Sequence, residues 1–198
     1  MNRNYRSFNE VAVPDEIRDA DLLLYRRLPR EPSLVARLIA ACGRGDHYHA
    51  AKVAWASGML RCLETRSWRD AREVSLESQV RRYPGRIDVY RSNPGDRWPE
   101  YDRAGATRVM RCISGKKYGW WNLLLAALLH LPVVRLFVRA DVDDRAVDKR
   151  PPYCSHACAY ADRVGGGVDP VPHLADRLTE PADLARSQFY EYQFTLIP

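Results

Sequence analysis

The sequence predicts a single α+β domain. Three observations point there. Alternating segments, which read as strands, gather early in the chain and again at its end. Segments with helical apolar spacing lie between them rather than alternating regularly with them, which disfavours a doubly wound parallel sheet. The 198 residues, 46% hydrophobic and 28% charged, suit one domain with a sizeable core.

Residues 1–19 are polar and lack an apolar signal core, so they read as a loose N-terminal arm with no signal peptide, ahead of a domain spanning 20–198. "ADLLLYRR" (20–27) is a short apolar run ending in charge, hence a buried strand. "EPSLVARLIAACG" (31–43) has proline near its start and glycine at its stop, hence a helix. "HYHAAKVAWAS" (47–57) reads as a strand, Ser57-Gly58 as a turn, and "MLRCLETR" (59–66) as the return strand of a hairpin. "EVSLESQVRRY" (73–83) fits helix and strand equally. "RIDVYRS" (86–92) alternates as a strand, and "NPGDRWP" (93–99) is a loop by composition.

A helix is expected over 100–114, with Gly115 ending it. A second, largely buried helix is expected over 118–131. The apolar run that contains it is broken by His130, Pro132 and Arg135, and its clean part is too short to cross a bilayer, so no transmembrane segment is expected. Residues 142–152 are a charged loop closed by two prolines. A helix opens at Cys154 and stops at "VGGG" (164–167). Residues 169–187 are punctuated by proline and read as a loop, and "QFYEYQFTLIP" (188–198) alternates as a final strand.

Charge and cysteine content narrow the function classes. The net charge of +6 is spread along the chain with acids interleaved, which reads as a solvated surface and not as a specific nucleic-acid face. Five cysteines, an odd number, do not form a secreted disulfide framework and fit a reducing compartment with a free thiol. Cys154, His156 and Cys158 have no second cluster at metal-finger spacing, and 154 and 156 point to different helix sides, so no metal or other cofactor is expected.

The chemistry centres on "PPYCSHACAYA" (151–161), which puts Cys154 at the first turn of a helix. Free backbone N–H groups and the positive dipole end favour a thiolate there and can hold an oxyanion. A thiolate needs a base, and the base needs an orienting group. The strand at 47–57 offers His47 and His49, which share one face because period two separates them. On a hairpin turning at Ser57-Gly58, Glu64 comes close to opposite His49. Cys154 is thus the candidate nucleophile, His49 the base with His47 as the alternative, and Glu64 the orienting carboxylate. Tyr153, Ser155 and Tyr118 are candidates for oxyanion or substrate contacts.

The ordered series "DLLLYRR", "YHAAKVAWASGMLRCLETR", "IDVYRS", "GKKYGWWNLL", "YCSHACAYA" and "LTEPADLARS" resembles the circularly permuted papain-like cysteine hydrolases, the YiiX-like relatives of the NlpC-type cell-wall peptidases. The resemblance covers 20–187. It implies a permuted papain-like fold, with the nucleophile helix packed on an antiparallel sheet and the order histidine, carboxylate, cysteine. It also implies an amidase or peptidase acting on a cell-wall peptide or other small amide through Cys154, His49 and Glu64. The chain departs from the family pattern at Tyr48, where serine is usual, and at Lys52, where the strand is usually apolar. Two other functions remain open: lipid acyl transfer or thioester cleavage at the same Cys-His site, and a non-catalytic structural protein that keeps the fold. A cytoplasmic or virion-associated location is expected.

Overall fold

The computed structural model describes residues 3–27, 45–66, 70–115 and 152–198. Their frame is one seven-stranded sheet, ordered β1-β7-β6-β2-β3-β4-β5. The strands are β1 (Tyr5–Ser7), β2 (Leu22–Arg26), β3 (His47–Ala56), β4 (Met59–Thr65), β5 (Ala71–Ser75), β6 (Ile87–Ser92) and β7 (Tyr190–Ile197). All neighbouring pairs are antiparallel except β1 with β7. The described residues also form five α-helices, α1 (Phe8–Val11), α2 (Leu76–Arg82), α3 (Arg103–Ile113), α4 (Cys154–Tyr160) and α5 (Pro181–Arg186), besides short 3-10 turns and a π turn. The molecule is therefore a mixed α+β domain built on a largely antiparallel sheet, as the sequence predicts.

Period-two alternation sorts the side chains onto two faces. Leu22, Leu24, Ala50, Ala54 and Leu63 pack with Met110 and Ile113 of α3, Ala157 and Cys158 of α4, and Leu184 of α5. Leu23, Tyr25, Ala51, Val53 and Cys62 pack with Phe8 and Val11 of α1 and with Leu76 and Val80 of α2. The sheet is thus the middle layer of three.

The β3–β4 hairpin turns through Ser57 (φ 49°) and Gly58 (φ 75°), the left-handed pair of a two-residue turn whose twist matches that of the strands. It sets the register Ala56 opposite Met59 and Ala51 opposite Glu64.

Four expectations change. Residues 5–11 are not a loose arm. β1 pairs with β7, and Val11 and Ile17 are fully buried, because this stretch covers one end of the second core. The segment 73–83 resolves into strand then helix, divided at Ser75, whose side chain caps α2 by accepting from the Ser78 N–H. Residues 169–187 contain a helix: Pro181 is pre-set for its first turn, and Glu180 and Asp183 form a reciprocal capping box. The helix that opens at Cys154 runs as α-helix only to Tyr160 and then widens into a π turn over Ala161–Gly165. The helices expected at 31–43 and 118–131, and the charged loop up to 151, lie outside the described residues.

Backbones meet closely behind that π turn. A Cβ on Gly105 of α3 would come within 2.1 Å of the Gly165 carbonyl oxygen, and one on Gly165 within 2.4 Å of that of Gly105. Only glycine fits at this crossing.

Candidate active site

Cys154 is the first residue of α4 and is buried. Two hydroxyls hold its neighbourhood in place. Tyr153 Oη donates to the carbonyls of Arg177 (2.8 Å) and Thr179 (3.1 Å), and Ser155 Oγ donates to Thr179 (2.8 Å). The hydroxyls of Tyr153 and Ser155, candidates for oxyanion or substrate contact, are therefore engaged in anchoring the helix start. The Ser155 backbone N–H instead supports the sulfur. Tyr118 lies outside the described residues.

His49 sits on β3 with its Nε2 2.9 Å from Glu64 Oε2. Glu64 pairs with Ala51, so it reaches His49 diagonally across the strands, two residues from the directly opposed position. Its other oxygen accepts from Arg72 Nε at 2.8 Å and from Arg72 Nη2, while Arg66 Nη1 lies 3.7 Å from Oε2. The His49 ring packs against Tyr25, with centroids 4.9 Å apart. With Nε2–H donating to an ionised carboxylate, Nδ1 is the nitrogen left for the thiol.

The electrostatics of the three groups agree. Burial pushes the Cys154 thiol up, but the hydrogen bond and charge of His49, together with the N–H groups of Ala50 and Ser155, bring it below the ordinary thiol value. Burial depresses the His49 ring, and the bonds to Cys154 and Glu64 outweigh that and raise it. Burial raises Glu64, yet His49, Arg66 and Arg72 hold it down at about 2. Each shift favours the charged form in a place where burial alone would suppress it. The other buried thiols behave oppositely. Cys158, one turn below Cys154, and Cys62 are both pushed up by burial. Among the described residues with a resolved shift, Cys154 alone is a cysteine drawn toward thiolate.

His47 has another partner. The pairs Tyr25–His49 and Arg26–His47 leave Tyr48 as an extra residue in β3, a bulge that breaks the two-residue repeat. The expectation that both rings share one face therefore fails, and each finds its own carboxylate. His47 Nε2 lies 3.0 Å from Asp88 Oδ2. Asp88 is also held by Arg3 (3.0 Å), Arg26 (3.1 Å) and Thr195 (2.7 Å).

Two features escaped sequence reasoning. Arg72 stands directly opposite Glu64 in the β4–β5 pair, a cross-strand charge pair that becomes visible once β5 is placed. Lys52, fully buried on β3, is paired 2.6 Å from Asp162 of the π turn.

Among the described residues, no group of three or more His, Cys, Asp or Glu side chains converges on a metal position. Glu64 and Cys154 address different sides of the His49 ring, and Arg72 and Arg66 already neutralise Glu64, so this set does not fit a cation. No helix among the described residues is long and apolar enough to cross a membrane.

No family model matches the chain, and no curated protein matches it. Among solved structures, the crystal structure of the metalloprotein yiiX from Escherichia coli O157:H7 superposes with a TM-score of 0.60 at 9% identity, covering 92% of this chain and 99% of that one. At that identity the likeness concerns fold alone: this chain has a YiiX-like α+β fold.

Proposed function

We propose that this protein is a thiol-dependent hydrolase of amide bonds with a permuted papain-like arrangement, in which Cys154 is the nucleophile, His49 the base and Glu64 the orienting carboxylate. One observation carries the reading. The buried thiol at the start of α4 bonds His49, His49 bonds Glu64, and Glu64 ends on two arginines, a continuous chain that favours the thiolate.

His49 Nδ1 accepts the thiol proton, and the thiolate attacks the substrate carbonyl carbon. First-turn N–H groups of α4, which have no acceptor within the helix, hold the oxyanion. The tetrahedral species collapses as the C–N bond breaks and His49 returns the proton to the leaving amine. His49 then deprotonates water, which attacks the thioester and releases the acid, restoring the thiol. Glu64 keeps Nε2 protonated and stabilises the imidazolium between these steps. A small peptide or cell-wall amide is the proposed substrate class.

The test is acyl-enzyme trapping. The protein is mixed with activated short-chain acyl esters and peptide amides, quenched in acid and digested, and the 154-containing peptide is weighed. An acyl adduct on Cys154, absent in Cys154→Ala and greatly reduced in His49→Ala, supports the reading. Acylation spread over Cys62, Cys112 and Cys158 as readily as Cys154 sinks it.

A further inference from the structure

Beneath α4 lies a polar cluster that the proposed chemistry does not use. Lys52 and Asp162 are both completely buried, with Nζ 2.6 Å from Oδ2. The ammonium also donates to the Ala20 carbonyl (2.9 Å), Ser92 Oγ (3.3 Å) and Tyr190 Oη (3.4 Å). Asp162 in turn accepts from Tyr101 Oη (2.6 Å) and from Tyr190 Oη. A buried ion pair of this kind is seldom more stable than a well-packed apolar replacement. What it does impose is a fixed geometry between the two elements that carry it.

Those elements also carry the reactive pair. Lys52 follows His49 by three residues on β3, a span of about 10 Å along a strand. Asp162 follows Cys154 by eight residues on the nucleophile helix and its π turn, a span of roughly 12 Å. Helix and strand are therefore tied at two points of similar separation, Cys154 to His49 at one end and Asp162 to Lys52 at the other. The close Gly105–Gly165 crossing holds the π turn against α3. We infer that the Lys52–Asp162 pair is a positioning device that pins the far end of the nucleophile helix to β3 and so sets the Cys154 sulfur against the His49 ring. The inference rests on the reading of Cys154 and His49 as reacting partners. Lys52 and Asp162 act through that contact and touch no substrate. Their opposite charges, 2.6 Å apart, largely cancel at the thiol, so geometry is the route.

The test compares the parent protein with the double variant Lys52→Met/Asp162→Leu, which replaces the pair by apolar groups. Circular dichroism and thermal unfolding establish folding, and iodoacetamide labelling of the Cys154 peptide across pH gives the inflection. A folded double variant is expected to show an inflection about one pH unit or more above the parent, and thus roughly tenfold less thiolate below it. If it keeps the parent's inflection, the pair is structural only and the inference is overturned. If the double variant does not fold, Asp162→Asn takes its place. That variant keeps the side-chain shape of residue 162 but removes the charge that Lys52 pairs with, and the same rise or its absence decides. A parent that already inflects at the ordinary thiol value overturns the hydrolase reading together with the pin. A low parent inflection that neither variant moves overturns the pin alone.

Discussion

Replacing Glu64 by glutamine removes one charge from the centre of the proposed chain and changes little else in shape. His49, Arg66 and Arg72 hold the carboxyl down at about 2 in the fold, well below its ordinary value, so its ionised form contributes on the order of 3 kcal/mol. Arg72 and Arg66 keep 23% and 17% of their side chains exposed, so part of the lost interaction is recovered by water. Glu64→Gln is accordingly expected to cost about 1–3 kcal/mol at pH 7. The sign of the pH dependence follows from the depression. The stabilisation is complete above pH 4.5 and is lost as the pH falls toward 2, so parent and variant converge in acid. Urea unfolding at pH 7, 5 and 3 measures this directly through the midpoints at unchanged slope. The variant should also label more slowly at Cys154, because the imidazolium that holds the thiolate has lost its counter-charge. A variant as stable as the parent at pH 7, or a stability gap that stays constant down to pH 3, would refute this account of Glu64.

Other substitutions separate the parts of the structure. His47→Ala should destabilise the protein by about 1–3 kcal/mol in chemical denaturation, since it strips a partner from the buried Asp88, while leaving the Cys154 labelling inflection where it was. A shift of that inflection would return His47 to candidacy as the base. Ser75→Ala removes the cap of α2 and should lower stability by about 1 kcal/mol, seen as a lower urea midpoint. Gly105→Ala forces a methyl against the Gly165 carbonyl and should lower the thermal midpoint through about 1–3 kcal/mol of overpacking. An unchanged midpoint would mean that the α3–π-turn crossing relaxes without cost.

Local signals carried much of this reading. The β3–β4 hairpin was legible because Ser57-Gly58 sits between two alternating runs, and its register places Glu64 within reach of His49. Cys154 was legible because two prolines precede a run of small residues that starts a helix. What failed depends on distant parts of the chain. The bulge at Tyr48, which parts His47 from His49, arises from pairing with β2, and nothing local to "HYH" marks it. β1 is three residues long and becomes a strand only by pairing with β7, nearly the whole chain away. Ser75 serves as both the end of β5 and the cap of α2, so the pattern over 73–83 fits strand and helix equally and marks no boundary between them. Lys52 departs from the apolar pattern of its strand because its partner, Asp162, is 110 residues further on.

In the proposed mechanism His49 turns a buried thiol into a nucleophile. The pH dependence of Cys154 alkylation by iodoacetamide tests it most directly, with labelling read peptide by peptide in the parent, His49→Ala and Cys154→Ala. Cys154 is predicted to inflect well below the free-thiol value of about 8.5 in the parent and to return to or above it in His49→Ala. An ordinary thiol inflection in the parent, or a low one that survives His49→Ala, would contradict the claim.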